Sequence, residues 1–188
     1  MEVNEIKKSL CKLLSEKRYR HSLGVEDVSY DLALIYGEDT NKASIAGLLH
    51  DCAKYLTKEE FLTEAKKYQI SISEYERKDP NMLHGKIGSI YAKERYGIMD
   101  EDILNSILYH TTGRPNMSLL EKIVYVADYI EPTRGRNEIL DKAREIAYKN
   151  LDEAIVFITN STLDYLQDKK VDIVPLTKMT YEYYVNQT

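Results

Sequence analysis

The sequence predicts an all-α protein, a single-domain helical bundle. Apolar residues recur at helical spacing through most of the 188-residue chain, helix-opening signatures precede several of those stripes, and the 8 glycines and 4 prolines leave little material for loops. One domain over 1–188 is expected, since a domain usually takes roughly 150 residues and no linker-like tract or internal repeat interrupts the pattern. A hydrophobic content of 43% and a charged content of 30% suit a chain with one packed core.

Val3, Ile6, Leu10, Leu13 and Leu14 mark a first amphipathic helix; His21, Val25, Val28, Leu32 and Ile35 mark a second that Gly37 can end. Asn41 is placed to cap a third through "KASIAGLLHDCAKY", and "TKEE" (Thr57 to Glu60) is a capping-box signature for a fourth running to about Tyr68. After the polar turn "ERKDPN", a helix from about Leu83 carries His84, Ile87 and Tyr91 on one side and ends near Gly97. Asp100 then opens a helix with Ile103, Ile107 and His110 in register. "SLLE" (Ser118 to Glu121) is a second capping box, and Leu120, Val124 and Asp128 share a face of its helix until Pro132 stops it. Two further helices are expected at about 137–149 and 151–167, and the tail "VDIVPLTKMTYEYY" reads as an ordered arm.

A net charge of −5 gives no basic footprint for polymeric nucleic acid, although a local basic cluster can still hold a small phosphate compound. Cys11 and Cys52 form no CxxC pattern, which implies neither a disulfide framework nor a zinc-thiolate site and suits a reducing cytosol. "MEVNEIKKSL" has Glu2 and Glu5 where a signal peptide needs a basic and then an apolar stretch, and no run reaches the roughly 18 apolar residues of a membrane span. A cytoplasmic protein with no membrane partner is expected. The 16 tyrosines reflect a bias of the whole composition and leave a homodimer open.

All four histidines, His21, His50, His84 and His110, fall on or beside the inward stripes of different expected helices, and Asp128 falls on a fifth. An unsatisfied buried polar group costs about 1–3 kcal/mol, so packing alone needs a separate hydrogen-bond solution for each, whereas one shared metal site serves them all. Imidazole and carboxylate suit first-row divalent ions, and Asp51 beside His50 offers an oxygen and a nitrogen from one place. A site of this kind with open positions holds water and lowers its pKa from about 15.7 toward roughly 7, which equips it for hydrolysis.

The order His21, His50-Asp51, His84, His110 and Asp128, with 28, 32, 25 and 17 residues in the successive gaps, resembles the HD-domain metallophosphohydrolases. The segments "KRYRHSLGV", "AGLLHDCAKY", "LHGKIGS", "HTTG" and "ADYIEPTRGR" are similar to the YqeK family within that group. The resemblance implies an HD-type fold with its metal-site core at about 18–135 and C-terminal helices and arm at 136–188. It also implies symmetrical hydrolysis of diadenosine tetraphosphate to two ADP, by attack of a metal-bound hydroxide on an inner phosphorus. It makes His21, His50, Asp51 and Asp128 ligands of one ion. His84 and His110 either hold a second ion bridged by Asp51 or contact substrate phosphate, with Asp51, His84 and His110 catalytic in either case. The implied cofactor is iron, one or two ions, with manganese or another divalent metal as the alternative. Another HD activity, such as a nucleotidase or deoxynucleotide triphosphohydrolase, and a non-catalytic nucleotide sensor stay open.

Cations are placed for a polyphosphate. Lys54 follows His50 by one helical turn, and Arg134 and Arg136 follow the helix of Asp128; each is otherwise a solvated surface residue. Arg18 and Arg20 flank His21 with a weaker signal. Thr111 can donate its hydroxyl to phosphate or merely finish a helix, and Glu131 can orient ligands or ribose or simply be exposed. The resemblance further implies that Val174, Pro175, Leu176, Thr177, Lys178 and Met179 line the base and ribose pocket, although hydrophobic packing explains that segment equally well.

Overall fold

The computed structural model describes residues 3–187. Among the described residues there are eleven α-helices and no strand, as expected from the periodicity. The helices are α1 (Val3–Leu13), α2 (Glu16–Tyr36), α3 (Thr40–Leu49), α4 (Lys58–Lys67), α5 (Glu74–Lys78), α6 (His84–Tyr96), α7 (Glu101–Tyr109), α8 (Leu119–Ile130), α9 (Glu138–Ala147), α10 (Leu151–Asp168) and α11 (Pro175–Val185). Short 3-10 turns, Pro80–Leu83 and Pro132–Arg134, precede α6 and follow α8.

The capping boxes at Thr57 and Ser118 open α4 and α8, and Gly37 ends α2 in the left-handed region at φ 78°. Three elements differ from the sequence reading. Asp39, not Asn41, caps α3, because its carboxylate accepts from both the Asn41 and Lys42 amides. That helix stops at Leu49, and residues 50–55 follow in tight turns closed by Cys52 N to Leu49 O (3.0 Å) and Lys54 N to Asp51 O (2.9 Å). Consecutive residues of a regular helix point about 100° apart; here His50 and Asp51 are both buried. A third capping box, Ser73 with Glu76, opens the short α5 where a polar turn is expected. The tail is helix α11, with Pro175 in the first turn, where its missing N–H is no loss. The Met117 amide donates to the Tyr184 hydroxyl at 3.0 Å and Thr180 donates to the Thr112 carbonyl at 3.0 Å, which fastens α11 over the loop after His110. Ile35 and Leu13 continue their stripes in sequence but face solvent.

One core runs through the molecule, with α3 and α8 at its centre, where Leu48, Leu49, Leu120, Val124 and Ile155 are fully buried. Two glycines let helices approach closely. A Cβ on Gly47 would lie 3.0 Å from the Val25 carbonyl, and one on Gly85 would lie 2.7 Å from the Leu108 carbonyl. The first contact seats α3 on α2 and brings His50 to His21; the second seats α6 on α7 and brings His84 to His110. No described helix is long and apolar enough to cross a membrane.

Candidate active site

Five elements converge at one end of the core. His21 comes from α2, His50 and Asp51 from the end of α3, His84 from the start of α6, His110 from the end of α7 and Asp128 from the last turn of α8. His21 Nε2 lies 3.2 Å from His50 Nε2 and 3.0 Å from Asp128 Oδ1. His84 Nε2 lies 3.1 Å from His110 Nε2, and both stand 3.6 Å from Asp51 Oδ1. The other Asp51 oxygen faces His50 Nε2 at 3.8 Å, so this carboxylate stands between two clusters.

Hydrogen bonding fixes the rings. Nδ1 of His50 donates to the Gly47 carbonyl (2.7 Å), that of His84 to Asn81 (2.6 Å) and that of His110 to Ile107 (2.7 Å). A carbonyl only accepts, so Nδ1 carries the proton and Nε2 presents a lone pair in each neutral ring. Burial, reinforced at His84 by the neighbouring His110, lowers the pKa of His50 to about 4 and of His84 to about 3. At the His84–His110 pair the Thr111 hydroxyl, 3.1 and 3.2 Å from the two Nε2 atoms, has one proton for two acceptors and a nearby carboxylate. A buried set with more lone pairs than protons fits a cation. Its N/O composition without thiolate fits a divalent first-row ion with positions left for exchange.

His21 is held differently. Its Nδ1 is 2.8 Å from Glu131 Oε1, a carboxylate with no exposed surface that also accepts from the Thr133 hydroxyl and amide, both at 2.6 Å. Burial lowers the His21 pKa, but hydrogen bonds to Asp128 and Glu131 outweigh it and push it up to about 9. Burial raises the Asp51 pKa, and the facing histidines overcome that and hold it well below the usual carboxylate range. Room for Glu131 comes from Gly24, one turn after His21: a Cβ there would stand 2.5 Å from Glu131 Oε2.

The two groups open into a polar cleft of about 620 Å³, lined also by Lys54, Arg18 and Arg134. Arg134 pairs with Asp128 Oδ1 at 2.5 Å and Arg18 with Asp51 Oδ2 at 3.3 Å. Lys54, whose pKa burial lowers, also borders a more apolar cleft of about 410 Å³ walled by Met82, Leu108, Tyr109, Val174 and Leu176 and shared with His84 and Thr111. Of the tail residues, Val174 and Leu176 line that cleft, Thr177 is buried, and Pro175, Lys178 and Met179 lie on the surface outside its lining. Arg136 is exposed and pairs with Asp141. Glu131, one of the residues the sequence leaves between two roles, is buried and holds His21. Its spacing of three from Asp128, the same helix face, is the available signal, set against its place in the final turn of the helix.

A family model described as HD domain matches residues 18–133. The chain is 42% identical to the symmetrical bis(5'-nucleosyl)-tetraphosphatase of Halalkalibacterium halodurans, over 89% of each sequence. It is 38% identical to the protein of that name from Bacillus subtilis, over 92% of each. A solved structure of a predicted HD superfamily hydrolase involved in NAD metabolism, from Clostridium acetobutylicum, superposes with a TM-score of 0.95 at 42% identity, covering 100% of this chain and 99% of that one. The HD match and the His/Asp groups together point to a divalent metal. The fold, the converging side chains and these likenesses agree: the chain belongs to the HD-domain family and, within it, to the YqeK-type symmetrical bis(5'-nucleosyl)-tetraphosphatases.

Proposed function

We propose that this protein hydrolyses diadenosine tetraphosphate symmetrically to two ADP in the cytoplasm, with iron as its ion and manganese or another divalent metal able to replace it. The observation that carries the reading is Asp51 standing between two histidine clusters in a polar cleft that continues into an apolar one of nucleoside size. Relatives at 42% and 38% identity bear that activity in their names. The partner is a small dinucleotide and no nucleic-acid polymer, in keeping with the net charge of −5.

His21, His50, Asp51 and Asp128 would hold one ion, and His84 and His110 with Asp51 a second. A divalent ion there supplies Lewis acidity, making water nucleophilic near neutral pH and polarising a phosphoryl oxygen. The chain's own residues do the rest. Lys54, on the border of the two clefts, balances charge on the departing ADP, and Arg134, which also lines the polar cleft, shares that role. Thr111 donates its hydroxyl to a phosphate oxygen, and the walls formed by Val174 and Leu176 hold the base away from water. Glu131 keeps His21 in one orientation through Nδ1.

Chromatography of the products is the test. The protein purified without chelator is expected to release ADP alone from diadenosine tetraphosphate; ATP with AMP, or nucleoside with phosphate, would refute the reading. Elemental analysis of the same preparation is expected to find iron. Glu131→Ala should lower metal affinity about 10–100-fold, read by competition with a chelator. Gly24→Ala, which drives a methyl into the same carboxylate, is expected to act in the same direction.

A further inference from the structure

Cleavage at the midpoint of a dinucleoside tetraphosphate leaves two identical halves, so the chain has to seat a nucleoside on each side of the reacting phosphates. The cleft beneath α11 accounts for one. A third cavity, of about 250 Å³, lies between α8, the start of α9 and α10 and also borders His110 and Thr111. Asp128 and Arg134 line both it and the polar cleft, so the two are continuous. We propose that this cavity takes the base of the second nucleoside of the substrate and, after cleavage, of the second ADP. The inference rests on the function proposed above.

Size and chemistry both point this way. Small-molecule sites begin near ~300 Å³, so the cavity admits a flat base and leaves the ribose at its mouth and the phosphates in the polar cleft. Leu140 and Ile158 give it aliphatic walls, and the Tyr129 ring adds an aromatic one. Two polar side chains complete it. Asn137 accepts the Leu140 amide on Oδ1 at 2.8 Å, which leaves its amide hydrogens to donate. Thr162 donates its hydroxyl proton to the Ile158 carbonyl at 2.8 Å, which leaves oxygen lone pairs to accept. One donor and one acceptor complement the N7 acceptor and N6 amino donor of adenine. The α11 cleft and this cavity each share residues with the polar cleft, Lys54 bordering the first and Arg134 the second, so each half of a two-fold substrate has a cation beside it.

Thr162→Trp, on a half-exposed face of α10, fills the cavity from the α10 wall, and because His110 and Asp128 also line it, metal content is measured alongside. Calorimetric titration of the metal-loaded protein with ADP is expected to give two sites per chain in the parent and one in this variant. The KM for diadenosine tetraphosphate should rise roughly tenfold or more. An unchanged metal content and thermal midpoint should report an intact fold and metal site. Asn137→Ser keeps a cap for α9 but removes the amide donor, and is expected to raise the dinucleotide KM by a smaller factor. A single ADP site in the parent, or unaltered stoichiometry and dinucleotide KM in both variants, would overturn the second subsite while leaving the two-ADP product intact. Failure of the parent to form two ADP would instead defeat the reading on which it rests.

Discussion

Asp51→Ala protein is expected to lose metal from both histidine clusters and to lose turnover with it. The carboxylate sends one oxygen toward His84 and His110 at 3.6 Å and the other toward His50 at 3.8 Å, so removing it takes an anionic donor from both sides at once. Three or four buried imidazoles would then face an ion with less compensating charge. Metal catalysis contributes several kcal/mol to the barrier, which corresponds to a fall on the order of 10³-fold or more. Elemental analysis beside a rate measurement checks both parts. Wild-type turnover in Asp51→Ala protein that had lost its metal would eliminate the assignment.

Lys54→Met is expected to separate chemistry from metal loading. The ammonium borders both the polar and the apolar cleft, where burial lowers its pKa and the charges of Asp51 and Asp128 partly offset that. Removing a preorganised positive group aimed at developing charge costs about 10²–10³ in kcat. Metal content should stay at the parent level, because the side chain lies outside the ligand set, and the near-isosteric methionine keeps the wall of the cleft. A loss of metal equal to the loss of rate would place Lys54 among the groups that build the site. Unchanged kcat would remove it from the reaction.

The sequence was most legible where local chemistry decides structure. The Thr57 and Ser118 boxes and the Asp100 cap open helices through side-chain to backbone bonds within four residues, so they need no knowledge of the rest of the chain. The histidines and Asp128 stood out because each is a polar residue on an apolar stripe, and the structure brings all of them together. What stayed weak or undecided depends on distance. Arg18 reaches Asp51 across 33 residues and Glu131 reaches His21 across 110, and neither contact leaves a trace in the local pattern. The helical tail escaped because its main anchor, Tyr184, is satisfied by the remote Met117 amide. Ile35 and Leu13 misled because periodicity marks a face but does not say how far a neighbouring helix covers it.

The four imidazoles are also not equivalent in how they are built. His50, His84 and His110 each anchor Nδ1 on the carbonyl three residues earlier, so each ring is oriented by its own stretch of backbone and forms as soon as that stretch does. Only His21 takes its orientation from another part of the chain, where the end of α8 docks on α2. Three-quarters of the imidazole set is thus modular and one-quarter is assembled, and the seam between α2 and α8 decides whether the constellation is complete. Loosening that seam is expected to leave the constellation incomplete while three rings stay correctly aimed.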